Sequence, residues 1–166
     1  IELLREAHWQ YAFGDDIHRK YTDPLIEEDL RNFLTVQYKD KNLTTSEMDS
    51  IVANLRNTGG QNDYYALRNA FLLYRDGYDF AYSDGRDNPF RLEYIDFEHP
   101  DHNIFRCVNQ FVMEQGRENR RPDILLFVNG IPVCIIELKN PTKQNATIRD
   151  AHTQICTRYM RDIPAL

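Results

Sequence analysis

Asp123, Glu137 and Lys139 are two carboxylates and an ammonium, the second acid fourteen residues after the first and the lysine two residues later, in the string RRPDILLFVNGIPVCIIELKNPT. Brought together at the edge of a sheet, these groups suit metal-dependent cleavage of a phosphodiester. The acids would hold a divalent ion that activates water and neutralises charge on the phosphate. The ammonium would position the nucleophile or stabilise the transition state. As an isolated pattern, D-x13-E-x-K arises often by chance, and a same-face ion pair between Glu137 and Lys139 at a strand end is its bland reading. The context favours the sharper one, because unpaired charge is costly at the end of two apolar strands and a bound cation resolves the cost for the carboxylates.

The elements that must position these residues are the runs 124–128 (ILLFV) and 131–138 (IPVCIIEL), separated by Asn129-Gly130, a strong hairpin signal. Both runs are apolar on both faces, which predicts an interior hairpin covered on both sides, with Cys134 buried. Register decides the site. With a strict two-residue turn, paired residue numbers sum to 259, Asp123 faces Ile136 and Glu137 points through the other side of the sheet. A three-residue loop with a bulge at Gly130 gives 258 and places Asp123, Val133, Ile135, Glu137 and Lys139 on one face. An odd-length loop or an equivalent bulge is therefore expected.

The run 108–142 (VNQFVMEQGRENRRPDILLFVNGIPVCIIELKNPT) resembles the amino-terminal nuclease domain of type I restriction enzyme R subunits, members of the PD-(D/E)xK superfamily. The segments FRLEYIDFEHPDHNIF, PLIEEDLRNFL and NATIRDAHTQICTRYMRDIPAL extend the likeness over nearly the whole chain. The resemblance implies an α/β fold: a PD-(D/E)xK core with a mixed central sheet flanked by helices, and extra amino-terminal helices. It implies one nuclease domain over residues 1–166, part of a longer chain whose ATP-driven motor domains lie elsewhere. Asp123 and Glu137 match the metal-binding acids and Lys139 the catalytic lysine. The Leu138 carbonyl is a further metal ligand, Mg²⁺ the expected cofactor, and Glu2 resembles an amino-terminal helix glutamate that approaches the metal. Gln154 and Tyr159 match a supporting Gln and Tyr on the following helix. The family spacing is QxxxY, however, and residues five apart lie about 140° apart around an α-helix, so Gln154 is the better candidate.

The implied activity is cleavage of double-stranded DNA after translocation by a complex that includes modification and specificity subunits. Another PD-(D/E)xK nuclease of defence or repair, or a non-catalytic DNA-binding or docking module, remains an alternative. No GxxxxGK[ST] phosphate loop occurs, so ATP enters only through the motor domains.

Composition agrees with a single domain holding a substantial core. The formal charge is −6, but residues 117–166 hold eight Lys or Arg against five Asp or Glu, net +3, and the preceding residues are net −9. Arg117, Arg120, Arg121, Lys143 and Arg149 are the candidate DNA-phosphate contacts. The three cysteines show no metal spacing and suit reduced core thiols in a cytoplasmic protein. No apolar run of about 18 residues predicts a membrane span, and the start shows no signal peptide. His99-Pro100-Asp101-His102 offers two imidazoles without a third ligand at a recognisable spacing, and reads as a polar turn.

Helices are expected to end near Tyr11, to start at Pro24 behind an Asp23 cap, to follow the capping box Thr44-x-x-Glu47, to span Asp63 to Tyr74 with Leu67, Phe71 and Tyr74 inward, and to start at Thr147 with Ile148, Ala151 and Ile155 inward. Between them, Tyr78–Tyr82 and Phe90–Phe97 read as a hairpin, and Ile104–Met113 as one strand.

Overall fold

The computed structural model describes residues 1–58, 63–86, 88–138 and 147–162, except for the side chains of 63, 64, 66, 67 and 160. Lys139 and Lys143 lie outside these residues, as does the side chain of Leu67. In chain order the elements are α1 (Glu2–Glu6), β1 (Gln10–Phe13), α2 (Glu27–Gln37), α3 (Thr45–Arg56), α4 (Asp63–Asp76), β2 (Tyr78–Phe80), β3 (Phe90–Leu92), β4 (Phe105–Asn109), β5 (Met113–Gln115), β6 (Glu118–Arg120), β7 (Ile124–Val128), β8 (Ile131–Ile136) and α5 (Ile148–Thr153). A single π-helical segment, Gln154–Tyr159, continues α5 into α6 (Met160–Asp162). The chain is mixed α/β and divides into two compact units, one formed by Glu27–Ile104 and one by Ile1–Ile26 with Phe105–Leu166.

The Glu27–Ile104 unit is a helical core with a short hairpin. Thr44 heads α3 with a complete capping box, its hydroxyl accepting from the Glu47 amide while the Glu47 carboxylate accepts from the Thr44 amide. The stripe Met48, Ile51, Val52 and Leu55 is buried, with Leu30, Phe33 and Leu34 of α2. Tyr94 is fully buried and donates to the Ile51 carbonyl at 2.8 Å. Strands β2 and β3 pair antiparallel as expected. Helix α2 starts at Glu27 rather than Pro24, because Asp23 caps a local turn through the Leu25 amide at 3.1 Å. On α4, Phe71 is 57% exposed rather than inward.

The second unit carries a four-stranded sheet in the order β1-β4-β7-β8, with β1 parallel to β4 and the other pairs antiparallel. Its core gathers Ile26, Val108, Phe111, Met113, Leu125 and Phe127, with Ala12, Ile17 and Ile135 packed against it. Two expectations fail at its start. The first helix ends at Glu6, His8 takes φ 65°, and Tyr11 lies in β1 rather than on a helix. The expected strand 104–113 is broken at Gln110, whose φ of 59° turns the chain out of β4 before β5 begins. Met113–Gln115 then pairs with Glu118–Arg120 in a small hairpin that turns at Gly116, where φ is 62°, and that the sequence reading did not expect.

Arg19 ties the segment before α2 to this core. Its guanidinium lies 3.4 Å from the Phe111 ring centroid and donates to the carbonyls of Val112 and, at 2.9 Å, Asp23. Burial draws its pKa down to about 10.

Candidate active site

The register of β7 against β8 carries the site. Val128 pairs with Ile131 and Phe127 with Pro132, so Asn129-Gly130 is a two-residue turn, and φ values of 50° and 76° are those a type I′ hairpin requires. Of the two expected devices, the odd-length loop is absent and the equivalent bulge is present. The register shifts instead inside the strand: Leu126 pairs with Cys134, Leu125 with Ile135 and Ile124 with Ile136. Val133 is the extra residue, a bulge beside Pro132, which has no N–H to lose from the ladder. Paired numbers now sum to 260 rather than 258. Carried one step further, this register sets Asp123 opposite Glu137, on the face of Leu125, Phe127 and Ile135 and just beyond the apolar core.

Strand β8 lies at the sheet edge among the described residues, and this corrects the expectation of a hairpin covered on both sides. Val133 is 45% exposed and Cys134 is exposed, not buried. A proline inside a strand is itself an edge signal. Pro132 thus announced both the edge and the bulge.

Asp123 is held from three directions. Its carbonyl accepts from the Gln110 amide at 3.1 Å and from Asn109 Nδ2 at 2.8 Å. Its Oδ2 accepts from the Leu138 amide at 2.8 Å, and Gln110 Nε2 lies 3.4 Å from Oδ1. The left-handed residue Gln110 thus sits directly against the acid. Behind it is Gly14, where a Cβ would come within 2.3 Å of the Gln110 carbonyl oxygen. Only glycine permits so close an approach of two backbones. Asn109, Gln110 and Gly14 were not singled out in the sequence, although glycine is the usual marker of such an approach.

Glu137 is held by the last helical segment. Gln154 Nε2 donates to its Oε1 at 2.6 Å, and the Tyr159 hydroxyl donates to its Oε2 at 3.0 Å. Gln154 and Tyr159 are themselves 2.9 Å apart. Tyr159 therefore meets the acid as directly as Gln154 does, against the expectation from α-helical spacing. The reason is local: Gln154–Tyr159 is π-helical, and an i→i+5 hydrogen-bond pattern brings residues five apart onto one side. A QxxxxY spacing wound as a π-turn therefore brings both residues onto one acid. The Tyr159 phenol is 3% exposed and its pKa is pushed up to about 12 by burial, with the charges of Glu137 and Asp123 adding to the rise. It remains a proton donor at any physiological pH.

Thr147 caps α5 with a capping box to Asp150, but Ile148 is 90% exposed rather than inward. Arg149 is exposed on α5, and Arg117 is exposed between β5 and β6. Arg120 is committed to Asp162, donating from Nε at 3.0 Å, and to Glu118 at 2.7 Å. Glu2 is exposed at the start of α1. It does not join the two acids: among the described residues, the one group of three potential metal ligands within 4.8 Å of one another is Asp96, His99 and His102.

That second cluster supplies the third ligand that the HPDH string lacked. Asp96, however, has its lone pairs occupied. Oδ1 accepts from the amides of Glu98 at 3.1 Å and His99 at 2.8 Å, while Oδ2 meets Gln37 Nε2 at 3.1 Å and His102 Nδ1 at 2.9 Å. The carboxylate is the clamp of its own loop.

Two oppositely placed carboxylates, with their orientation set by neutral donors and an amide, form a hard oxygen donor set of the kind that takes a divalent cation. The chain belongs to the family described as the amino terminus of the type I restriction enzyme R protein, which it matches over residues 1–166. It is 28% identical over its whole length to the "Type I restriction enzyme HindI endonuclease subunit" of Haemophilus influenzae. It is 30% identical over its whole length to the "Putative type I restriction enzyme MjaIXP endonuclease subunit" of Methanocaldococcus jannaschii. The chain spans 16% of the length of each of these relatives.

Proposed function

We propose that this chain is the Mg²⁺-dependent endonuclease domain of a type I restriction R subunit, with a PD-(D/E)xK core, cleaving double-stranded DNA after ATP-driven translocation by the complete complex. The observation that carries the proposal is the bulge at Val133, which turns a two-residue hairpin into a register with Asp123 opposite Glu137. Asp123 and Glu137 would hold the ion, with the Leu138 carbonyl as a further ligand. When bound, Mg²⁺ supplies charge neutralisation at the scissile phosphate and a more acidic water. Gln154 and Tyr159 donate to Glu137 and hold its carboxylate in one orientation, as the outer partners of metal ligands do. The Leu138 amide and Gln110 do the same for Asp123. Lys139, two residues after Glu137, would add the cation that positions the nucleophile.

DNA, the motor and the modification and specificity subunits would come from the rest of the assembly, and the location would be the cytoplasm. The test uses the intact subunit in its complex. Asp123→Ala, Glu137→Ala and Lys139→Ala should each abolish DNA cleavage while ATP hydrolysis and translocation continue. Retained cleavage in any one of them removes that residue from its role.

A further inference from the structure

The last helical segment faces more than Glu137. A cavity of about 420 Å³ is lined by Arg120, Arg121, Arg158 and Arg161 together with Gln154 and Tyr159. We propose that this cavity binds a DNA backbone phosphate flanking the scissile one, with Arg121 and Arg158 as its donors and Asp162 as the positioning residue of its wall. The assignment to a flanking phosphate rests on the nuclease reading of the Asp123–Glu137 site.

Four guanidiniums around one hollow repel one another, and the protein offsets only part of that repulsion. Asp162, 6% exposed, accepts from Arg120 and also from Arg161, whose Nε lies at 2.6 Å. Glu118 takes a further donor of Arg120. Among the described residues, no carboxylate forms an ion pair with Arg121 or Arg158, both exposed, so the hollow keeps a net positive charge of about two in a concave setting that concentrates its field. The guanidinium fork matches phosphate oxygens in pairs. Lining alone would suit any phosphate, but Gln154 and Tyr159 argue for DNA. The same two side chains line the cavity and hold Glu137, so a strand whose scissile phosphate lay at the acids would pass its next phosphates along this wall. Neither Arg158 nor Arg161 was among the sequence candidates.

The experiment measures binding of a fluorescein-labelled DNA duplex by anisotropy over a salt series, using the intact subunit. Arg121→Ala combined with Arg158→Ala should weaken binding alike for different duplex sequences. It should also flatten the slope of log K against log salt by about one, at roughly 0.9 for the phosphate that is no longer neutralised. Both arginines are exposed, and an unchanged melting temperature confirms folding. Unaltered affinity and slope overturn the proposal, as does a loss confined to binding of inorganic phosphate. Asp162→Asn separates positioning from simple charge. Removing a negative charge should tighten DNA binding if the field alone matters, whereas release of Arg120 and Arg161 should weaken it, so tighter binding in a folded variant overturns the positioning role. If Asp123→Ala still cleaves while the arginine variant loses its slope, the nuclease reading fails and the cavity stands as a DNA-phosphate site.

Discussion

Asp96 and Asp123 are both aspartates at the end of apolar segments, and both accept a backbone amide, yet their surroundings differ in kind. Asp96 is 5% exposed, and its two oxygens meet four partners, two of them amides of its own loop. A carboxylate offers about four lone-pair sites, so nothing is left over. Asp123 is half-buried, with one amide on Oδ2 and one distant amide nitrogen on Oδ1, and it stands opposite a second acid. A saturated carboxylate organises a loop; a carboxylate kept oriented with lone pairs to spare can take a cation. Histidine neighbours make the Asp96 cluster look more like a metal site by residue type, and hydrogen-bond occupancy reverses that impression.

The largest test of this contrast exchanges the two roles. Asp123→Ala should reduce DNA cleavage in the intact complex to background while leaving thermal stability within a few degrees. Asp96→Ala should instead cost on the order of 3 kcal/mol in chemical denaturation, because four part-buried hydrogen bonds lose their shared acceptor at once. Loss of cleavage in a fully stable Asp96 variant would undo the distinction. Next in size is Gly14→Ala. Its methyl would press on the Gln110 backbone, so cleavage should fall although residue 14 carries no functional group.

Tyr159→Phe should lower Mg²⁺ affinity or activity by about 10–100-fold, the usual effect of removing an outer partner of a metal ligand. Calorimetric Mg²⁺ titration of the subunit measures it, and unaltered affinity would detach Tyr159 from the site.

The acid limb of the stability curve gives a smaller effect. The His99 amide, with His102 and Gln37, holds the Asp96 carboxyl below its usual 3.8. A depressed folded-state pKa contributes stability that is fully present above about 3.8 and is lost as pH falls below it. Asp96→Asn should therefore flatten the decline in stability below about pH 4, read by urea denaturation across pH. The smallest effect compares the two capping boxes. Thr44→Ala, at the head of the twelve-residue α3, should cost about 1 kcal/mol. Thr147→Ala, before the six-residue α5 with no buried residue, should cost less.

Local signals were legible wherever the chemistry is local. Both capping boxes, the Asn129-Gly130 turn, the α3 stripe and the β2–β3 hairpin follow from residues within a few positions of one another. The expectations that failed depended on distant partners. Ile148 and Phe71 carry helical periodicity, but only packing decides whether a stripe is covered, and these two are exposed. Cys134 lies in an apolar run, yet its strand is the edge of the described sheet. The left-handed residues His8 and Gln110 broke elements that composition ran together, in a conformation that is uncommon for any residue but glycine.

By itself the sequence determined which groups are available: Asp123, Glu137 and Lys139 with their family, a hairpin at Asn129-Gly130, and a basic carboxyl-terminal third. These follow from residue identity and short-range backbone preference. Tertiary structure alone decided how they meet. The bulge at Val133 chose the face, the π-turn brought Tyr159 beside Gln154, and Asp162 drew Arg120 and Arg161 around one cavity. The first two depend on a one-residue change of register or winding that shifts side chains to another face, and the third on an ion pair between residues 42 apart in the chain.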